Sequence, residues 1–455
     1  AKSIPAGSVP ARGAEIAVHV AVLALVLLRG PLLQPDTGGY LHAAAIRPPL
    51  YPLLLQGLQA LFGAGFATAA LWVQALGASL AVLYCGSALA RALRAPDWLR
   101  PIFALVLFVP LLPSSSGVAN LLLSEGLAYP LFLAAAALLL RAASRGGLRA
   151  YALFFLVSGL LVLTRTQFLF LYPVGALCAV WRGVQARSLR AGAAALGVLA
   201  LCILGATALE KGWNLLQHGK ASRPPFTGIQ LVAAPLFLAQ PGDAALFADP
   251  KERRFFERVH AALRENRWVQ GEATRLGRGA HGEILHFDNH YNDIVWKTVF
   301  PAAREIFAPG PGADFDLPVL RAVDQGTVRV ALGLLHAHPA RCLKFYAYSL
   351  TFGLGGYFAA ATLGLVLLAT LATLTTRAAP ARGASARGAE AQTGSGPAAA
   401  AFLVLAAHLA NGCLVALVEP VQTRYMIYTA TVATCLLVAL AVLGLRSLGV
   451  PRHDR

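Results

Sequence analysis

Apolar residues fall in long blocks along this chain, separated by polar gaps of very unequal length, and the blocks dictate the elements. A helix that crosses the hydrocarbon of a bilayer needs roughly 20 mostly apolar residues. Ten blocks are expected to form such helices, at 14–32, 67–90, 101–114, 121–140, 151–164, 167–181, 191–209, 345–375, 398–418 and 425–445. Three of them are short or interrupted: 101–114 contains Pro110 and Pro113, and 151–164 and 167–181 fall below a full crossing. Arginine placement argues for keeping them. Basic residues gather in alternate gaps, at Lys2 and Arg12, at Arg91, Arg94 and Arg100, at Arg141, Arg145 and Arg149, at Arg182, Arg187 and Arg190, at Arg377, Arg382 and Arg387, and at Arg446, Arg452 and Arg455. Cytoplasmic loops collect Lys and Arg, so two crossings are expected between successive clusters, with both ends of the chain on the cytoplasmic side. The first block is too long for a cleaved signal peptide and is expected to stay as a helix.

The outward gaps are then 33–66, 115–120, the region of Arg165, 210–344 and 419–424. Segment 210–344 holds most of the acidic residues and most of the histidines, and reads as an ordered extracytoplasmic module. Within it Lys251–Trp268 carries apolar residues at helical spacing, so the module is expected to be mainly helical. Residues 377–397 are rich in Ala, Gly, Ser and Arg without apolar periodicity, as in a flexible cytoplasmic linker. The expected organisation is an N-terminal transmembrane region over 1–209 with a first external loop at 33–66, the module 210–344, and a C-terminal transmembrane region over 345–455. The expected fold class is an all-α integral membrane protein with about ten transmembrane helices. Neither an internal repeat nor an inverted pair of broken helices of the transporter type is evident.

Composition agrees. Of 455 residues, 57% are hydrophobic and 13% charged, against about 25% charged in soluble domains, and the mean hydropathy is +0.62. A net charge of +17 is accounted for by membrane topology, and a nucleic-acid partner is set aside. The cysteines, Cys85, Cys178, Cys202, Cys342, Cys413 and Cys435, lie nearly all within apolar runs and form no CxxC, so neither a disulfide framework nor a zinc site is indicated.

Candidate chemistry starts in the first external loop. Asp36 stands just past the first span in Pro35-Asp36-Thr37-Gly38-Gly39, a turn-forming context that aims a carboxylate along the membrane surface. There it can act as a base, or it can simply N-cap a short helix containing Tyr40 and His42. Arg165 lies between two apolar spans and Arg424 at the outer end of the last; a guanidinium at such depth requires a partner or a ligand. Ion pairs with Glu125 and Glu419 are the structural alternative. Glu125, at the outer start of an apolar helix, can orient Asp36 or a ligand, or complement the helix dipole. Arg47 and Lys211 are secondary cations that fit interfacial snorkelling equally. His286, Asp288 and His290 are metal-ligand types, but their spacing fits no standard motif, and a polar face of the module is the plainer reading. His19 and His408 read as core histidines. Tyr346, Tyr348 and Tyr357, with Phe345 and Phe352, read as an interfacial aromatic belt.

The run PDTGGYLHAA followed by RPPLYPLLLQGLQALFG resembles the first external loop of the GT-C superfamily of polyprenyl-phosphate-sugar glycosyltransferases, which includes protein O-mannosyltransferases and lipid A aminoarabinose transferases. The resemblance extends to LLLSEGLAYPLFL around Glu125, LTRTQFLFLYP around Arg165, AHPARCLKF before a long helix, and EPVQTRYMIY before the last span; segment 210–344 has no counterpart in it. It implies an inverting transfer at the extracytoplasmic face of a bacterial inner membrane, from a polyprenyl-phosphate-linked sugar to the hydroxyl of a glycan, lipid or protein acceptor. Asp36 matches the catalytic Asp by position. Arg165, Arg424, Arg47 and Lys211 would hold the donor phosphate, and Tyr40, His42, Tyr51, Glu125, Glu419 and Tyr425 would orient substrate. Some members carry an acidic pair where this chain has Asp36-Thr37, which leaves dependence on a divalent metal open.

Other classes are weaker on the same residues. A nucleotide-sugar donor is disfavoured, because no Gly-rich phosphate turn follows a strand pattern. An O-antigen ligase or polysaccharide polymerase would use a lipid-linked oligosaccharide and place its key residues in the large loop. A lipid or sugar transporter or flippase would need ionisable residues at the membrane midplane, whereas these cluster at helix ends.

Overall fold

A chain of alternating apolar runs and Gly/Pro-containing gaps is built to form helices that pack on one another. The structure, a computed structural model, describes residues 8–112, 117–222, 225–272, 279–310, 316–378, 396–419 and 423–447, and every named element in them is helical. A lone parallel bridge, Leu32 to Leu121, is the exception. In chain order the helices are α1 (Ser8–Arg29), α2 (Thr37–Leu41), α3 (Leu50–Phe62), α4 (Phe66–Leu93), α5 (Arg100–Phe108), α6 (Ser124–Arg145), α7 (Leu148–Val162), α8 (Leu171–Gln185), α9 (Leu189–His218), α10 (Thr227–Leu238), α11 (Pro250–Glu265), α12 (Ala280–Asn292), α13 (Phe300–Phe307), α14 (Leu317–Ala337), α15 (Pro339–Gly353), α16 (Tyr357–Ala378), α17 (Gly396–Val418) and α18 (Thr423–Ser447). Two units divide the chain: Ala1–Glu210 with Thr362–Asn411 and Ile427–Arg455, and Lys211–Ala361 with Gly412–Met426.

Among the described residues seven stretches are long and apolar enough to cross a membrane: Pro10–Arg29, Leu50–Leu93, Ser124–Ser144, Thr166–Gln185, Leu189–His218, Pro397–Leu417 and Tyr425–Gly444. This is the pattern of a helical, multi-pass membrane protein. Large apolar side chains such as Ile16, Leu28, Leu80, Leu201 and Leu204 stand mostly exposed, as a lipid-facing surface requires.

Two expected runs come out differently, and a third, 151–164, is as short as its sequence. The 101–114 block becomes the nine-residue α5 followed by a 3-10 turn over Val109–Leu111, because Pro110 cannot continue the helix ladder. The 151–164 block is α7, fifteen residues long. The 345–375 block is broken between α15 and α16, where Gly355 and Gly356 take φ of +95° and +91°, a conformation that ends a helix. The linker expected over 377–397 lies at 379–395 outside the described residues.

The 33–66 loop also contains more structure than expected. Leu50–Phe62 is helical, and it doubles back on α4 at Gly63, whose φ is +52°. A continuous helix would separate Tyr51 from Gln74 by about 35 Å, yet the Tyr51 hydroxyl donates to Gln74 Oε1 at 2.9 Å.

In the first unit α4 lies along α6, and α6 along α7. Small residues line the α4–α6 seam, among them Ala78, Ala81, Cys85, Ala128 and Ala135, all buried. Without a hydrophobic drive between helices in lipid, close backbone approach of this kind supplies the packing energy. Buried aromatics fill the space beyond: Phe132 stacks on Phe168, and Tyr428 meets both edge-on.

In the second unit α10 is held by α14. Asp324, buried in the middle of α14, accepts from the Gly228 backbone N–H at 2.6 Å, placing a carboxylate on the otherwise unsatisfied N-terminal amides of α10. The 3-10 turn Pro241–Leu246 opens with a capping box between Gln240 and Asp243, and Asp243 also pairs with His338 at 2.9 Å. The helical spacing in Lys251–Trp268 corresponds to α11, N-capped by Asp249.

The α10–α14 seam is tight enough to test. A Cβ at Gly228 would fall inside contact distance of the Asp324 carbonyl oxygen and of Thr327 Oγ1, so Gly228→Ala should lower stability by about 1–3 kcal/mol. Gly212→Ala on α9, where a Cβ meets nothing within 4 Å, should leave it unchanged or slightly raised. Thermal unfolding of the two variants in the same detergent checks the difference.

Candidate functional site

The loop that follows α1 is built by its attachment to residues 117–125. Where α1 ends, the Asn120 carboxamide donates to the carbonyls of Val26 and Gly30, both at 2.8 Å, satisfying acceptors that the helix terminus leaves open. The outgoing chain then pairs with the same segment: Leu32 N–H donates to Asn120 O at 2.7 Å and Leu122 N–H to Leu32 O at 3.0 Å. Thr37 adds a third tie, its hydroxyl accepting from Gln34 N–H and donating to the Leu122 carbonyl. At the far end of the loop, Leu50 N–H donates to Leu163 O at 3.0 Å, which fixes the start of α3 beside the strand-like turn that carries Arg165.

This attachment joins several of the expected site residues into one polar chain. Asp36 Oδ1 pairs with Arg47 Nη2 at 2.9 Å. Arg47 lies over the Tyr40 ring, 4.6 Å from its centre, and donates to the Tyr40 hydroxyl at 3.3 Å. The Tyr40 and Ser124 hydroxyls share a hydrogen bond of 2.9 Å. Ser124 accepts from Arg165 at 3.3 Å, and Arg165 pairs with Glu125 at 2.6 Å. Two guanidinium–carboxylate pairs are thus linked through two hydroxyls.

The two pairs differ in burial. Side-chain exposure is 57% for Asp36 and 23% for Arg47, but 16% for Arg165 and 8% for Glu125. Glu125 also lies in the first turn of α6, where the helix dipole favours a negative charge. Asp36 occupies the N-cap position of α2 but makes no side-chain cap bond. Its carboxylate is turned to Arg47 instead, which removes the simple capping reading. Gly39 permits this turn, because a Cβ there would lie 3.3 Å from Arg47 Nε.

Tyr51 is fully buried. It meets Tyr40 edge-on at 5.1 Å and spends its hydroxyl on Gln74, so it braces Tyr40 from within the core. Gln74 in turn donates to the Ala119 and Leu121 carbonyls. His42 is exposed at the end of α2.

The remaining candidates belong to the second unit. Lys211 is exposed; Glu419 accepts from Gln230 at 2.7 Å; Tyr425 is buried with Met426 and Val415. Arg424 lies in the first turn of α18, and its side chain is outside the described residues. The weak metal candidates His286, Asp288 and His290 belong to no group of three or more His, Cys, Asp or Glu side chains among the described residues. His286 is buried against the Arg267 carbonyl at 2.8 Å, and His290 stacks on Trp268. Burial, reinforced by neighbouring His286, pushes the His290 pKa down, with Asp293 opposing.

Ser124, Thr37, Gln74 and Asn120 are the residues that sequence reasoning passed over. Ser124 directly precedes Glu125 in a motif already singled out, and Gln74 is a lone amide in an apolar span; both were signals, because a buried amide or hydroxyl requires partners. Asn120 carried none beyond its place at the edge of a block.

Comparison with known proteins gave no matching family model, no matching curated relative and no matching solved structure. The reading of the site therefore rests on its geometry.

Breaking the buried pair exposes its structural share. Arg165→Ala takes the guanidinium away from the buried Glu125 carboxylate and should destabilise the protein by about 3–5 kcal/mol, whereas Arg165→Ala with Glu125→Ala should recover most of that loss. Thermal or denaturant unfolding of the wild type, both single variants and the double variant closes the cycle. A double variant no more stable than Arg165→Ala would count against the pair.

Proposed function

We propose that this chain is an inverting membrane glycosyltransferase of GT-C type, with about ten crossings in a bacterial inner membrane, moving a sugar from a polyprenyl-phosphate carrier to an acceptor hydroxyl at the extracytoplasmic face. The observation that carries the reading is the exposed Asp36 carboxylate, held by Arg47 at 2.9 Å just beyond the end of an apolar helix. A base and a phosphate-binding cation stand side by side at the level where a lipid phosphate sits.

In the proposed reaction the acceptor oxygen forms a bond to the anomeric carbon from the face opposite the phosphate. Its proton passes to Asp36, the bond from the anomeric carbon to the phosphate oxygen breaks, and polyprenyl phosphate leaves with added negative charge. Arg47 is the cation suited to receive that charge, since a guanidinium matches paired phosphate oxygens. A phosphate that draws Arg47 away also frees Asp36 to accept the proton. The buried pairing of Arg165 with Glu125 supports a positioning role for Arg165, acting through Ser124 and Tyr40. A divalent metal has no assembled ligand set among the described residues, and no step is assigned to one.

The test is transfer by purified protein from a panel of synthetic polyprenyl-phosphate monosaccharides, with hydrolysis and transfer followed by mass spectrometry. Asp36→Asn keeps the shape and removes the base, and should lower turnover by about 10²–10⁴-fold with unchanged folding. Arg47→Lys keeps the charge without the planar fork and should weaken donor use, and Arg47→Ala should weaken it further. Near wild-type turnover in Asp36→Asn would overturn the assignment and turn attention to the large loop, as expected of a ligase or polymerase.

A further inference from the structure

The opposite end of the α4–α6 pair holds a second polar feature that the proposed reaction does not use. A cavity of about 220 Å³ opens there between the two helices, lined by Tyr84, Ala88, Arg91, Leu140, Arg141 and Ser144 among others. Its walls follow from helical spacing. Tyr84, Ala88 and Arg91 recur on one face of α4, as Leu140, Arg141 and Ser144 do on α6. Three of its lining residues, Ala88 and Ala92 on α4 and Ala137 on α6, are buried alanines, whose small side chains leave the space open. At roughly 30 Å³ per water, it has room for about seven waters, or for a phosphate and the first atoms of its ester.

Its chemistry is that of an anion site. Two guanidinium groups, a phenol and a serine hydroxyl surround it, and no carboxylate is among its lining residues. Ser144 gives its hydroxyl proton to the Leu140 carbonyl at 2.7 Å, so the donors left for an anion are those of Arg91, Arg141 and Tyr84. Neither Arg91 nor Arg141 is engaged in an ion pair among the described residues. The carbonyl end of α4 accounts for one cation, Arg91 lying in its last turn. It does not account for a second one from a different helix converging on the same hollow.

Position along the helices names the source of the anion. From Gln74 to Arg91 on α4, and from Ser124 to Arg141 on α6, is seventeen residues in each case, or about 26 Å. That is close to the hydrocarbon thickness of a bilayer. With the Asp36 cluster at one membrane surface, the cavity lies at the other, at headgroup depth and between apolar helices, where basic pockets meet anionic lipids.

We propose that this cavity binds the phosphate of an anionic phospholipid headgroup, with Arg91 and Arg141 as its two charged donors. Such a lipid would clamp the arginine-rich ends of α4 and α6 without taking part in chemistry at Asp36.

The probe is dioctanoyl-phosphatidylglycerol added to the delipidated full-length protein in a neutral detergent, with binding followed by native mass spectrometry and by thermal shift. One lipid should bind per chain. Arg91→Gln and Arg141→Gln should each weaken it roughly tenfold or more, as expected for losing a charge-assisted hydrogen bond. Ser144→Leu, an exposed position whose new side chain would fill the mouth, should also reduce binding, and it keeps the test informative if an arginine variant folds poorly. Arg149→Gln and Arg187→Gln, exposed arginines outside the cavity, should leave binding unchanged. Equal losses in all the arginine variants would mean diffuse attraction and overturn the site, as would the absence of any bound lipid. Inorganic phosphate competing as well as the lipid would overturn the lipid assignment in favour of a free-phosphate site.

Discussion

A helix that ends against an apolar bundle exposes its last carbonyls where water is scarce, and the loop that follows α1 depends on how α1 solves that problem. The Asn120 carboxamide takes two of those carbonyls, so the loop must leave α1 alongside residues 117–123. Leu32, Thr37 and Leu50 then attach it at three further points to backbone groups that need partners for the same reason. The direction of Asp36 is a consequence. Its own short helix, five residues long, has too little internal hydrogen bonding to hold a carboxylate in place.

Charges near the hydrocarbon boundary obey the same constraint. Glu125 and Arg165 are nearly withdrawn from water and are coupled to each other, to Ser124 and, through it, to Tyr40. Such a pair is weak as a source of net stability, since desolvation offsets most of its attraction, but it is strong as a geometric lock because either partner alone is intolerable. Tyr40 is held from below by fully buried Tyr51, and Tyr51 by Gln74. Rigidity therefore passes from the α3–α4 hairpin to the loop through side chains whose polar atoms are all spoken for.

Much of the architecture was legible in the chain because long apolar runs leave few alternatives to membrane helices. What escaped was local. The doubling back of α3 on α4 depends on a left-handed Gly63 inside a run that is apolar on both sides, and hydropathy alone does not register a reversal. The break at Gly355 and Gly356 was written as two glycines in an apolar context, where glycine is common enough to carry little signal. In the site, Asp36, Arg47, Glu125 and Arg165 stood out because charges are costly at such depth. Their pairing did not, since Asp36 with Arg47 and Glu125 with Arg165 are joined by tertiary contacts, the latter across forty residues. The hydroxyl bridge through Ser124 was invisible for the same reason.

The unequal burial of the two ion pairs gives the proposed chemistry its division of labour. An exposed pair such as Asp36 with Arg47 is worth at most about 1 kcal/mol, so an arriving phosphate can take over the guanidinium at little cost and leave the carboxylate to act as base. The buried pair cannot be exchanged so cheaply, because removing Arg165 from Glu125 leaves a desolvated charge behind at a cost of several kcal/mol. One arginine is thus poised to move and the other to stay. The link between them runs through Tyr40, whose ring lies under Arg47 while its hydroxyl is fixed by Ser124. If Arg47 turns toward a phosphate, it keeps the ring as a pivot, and the rest of the network has no reason to follow.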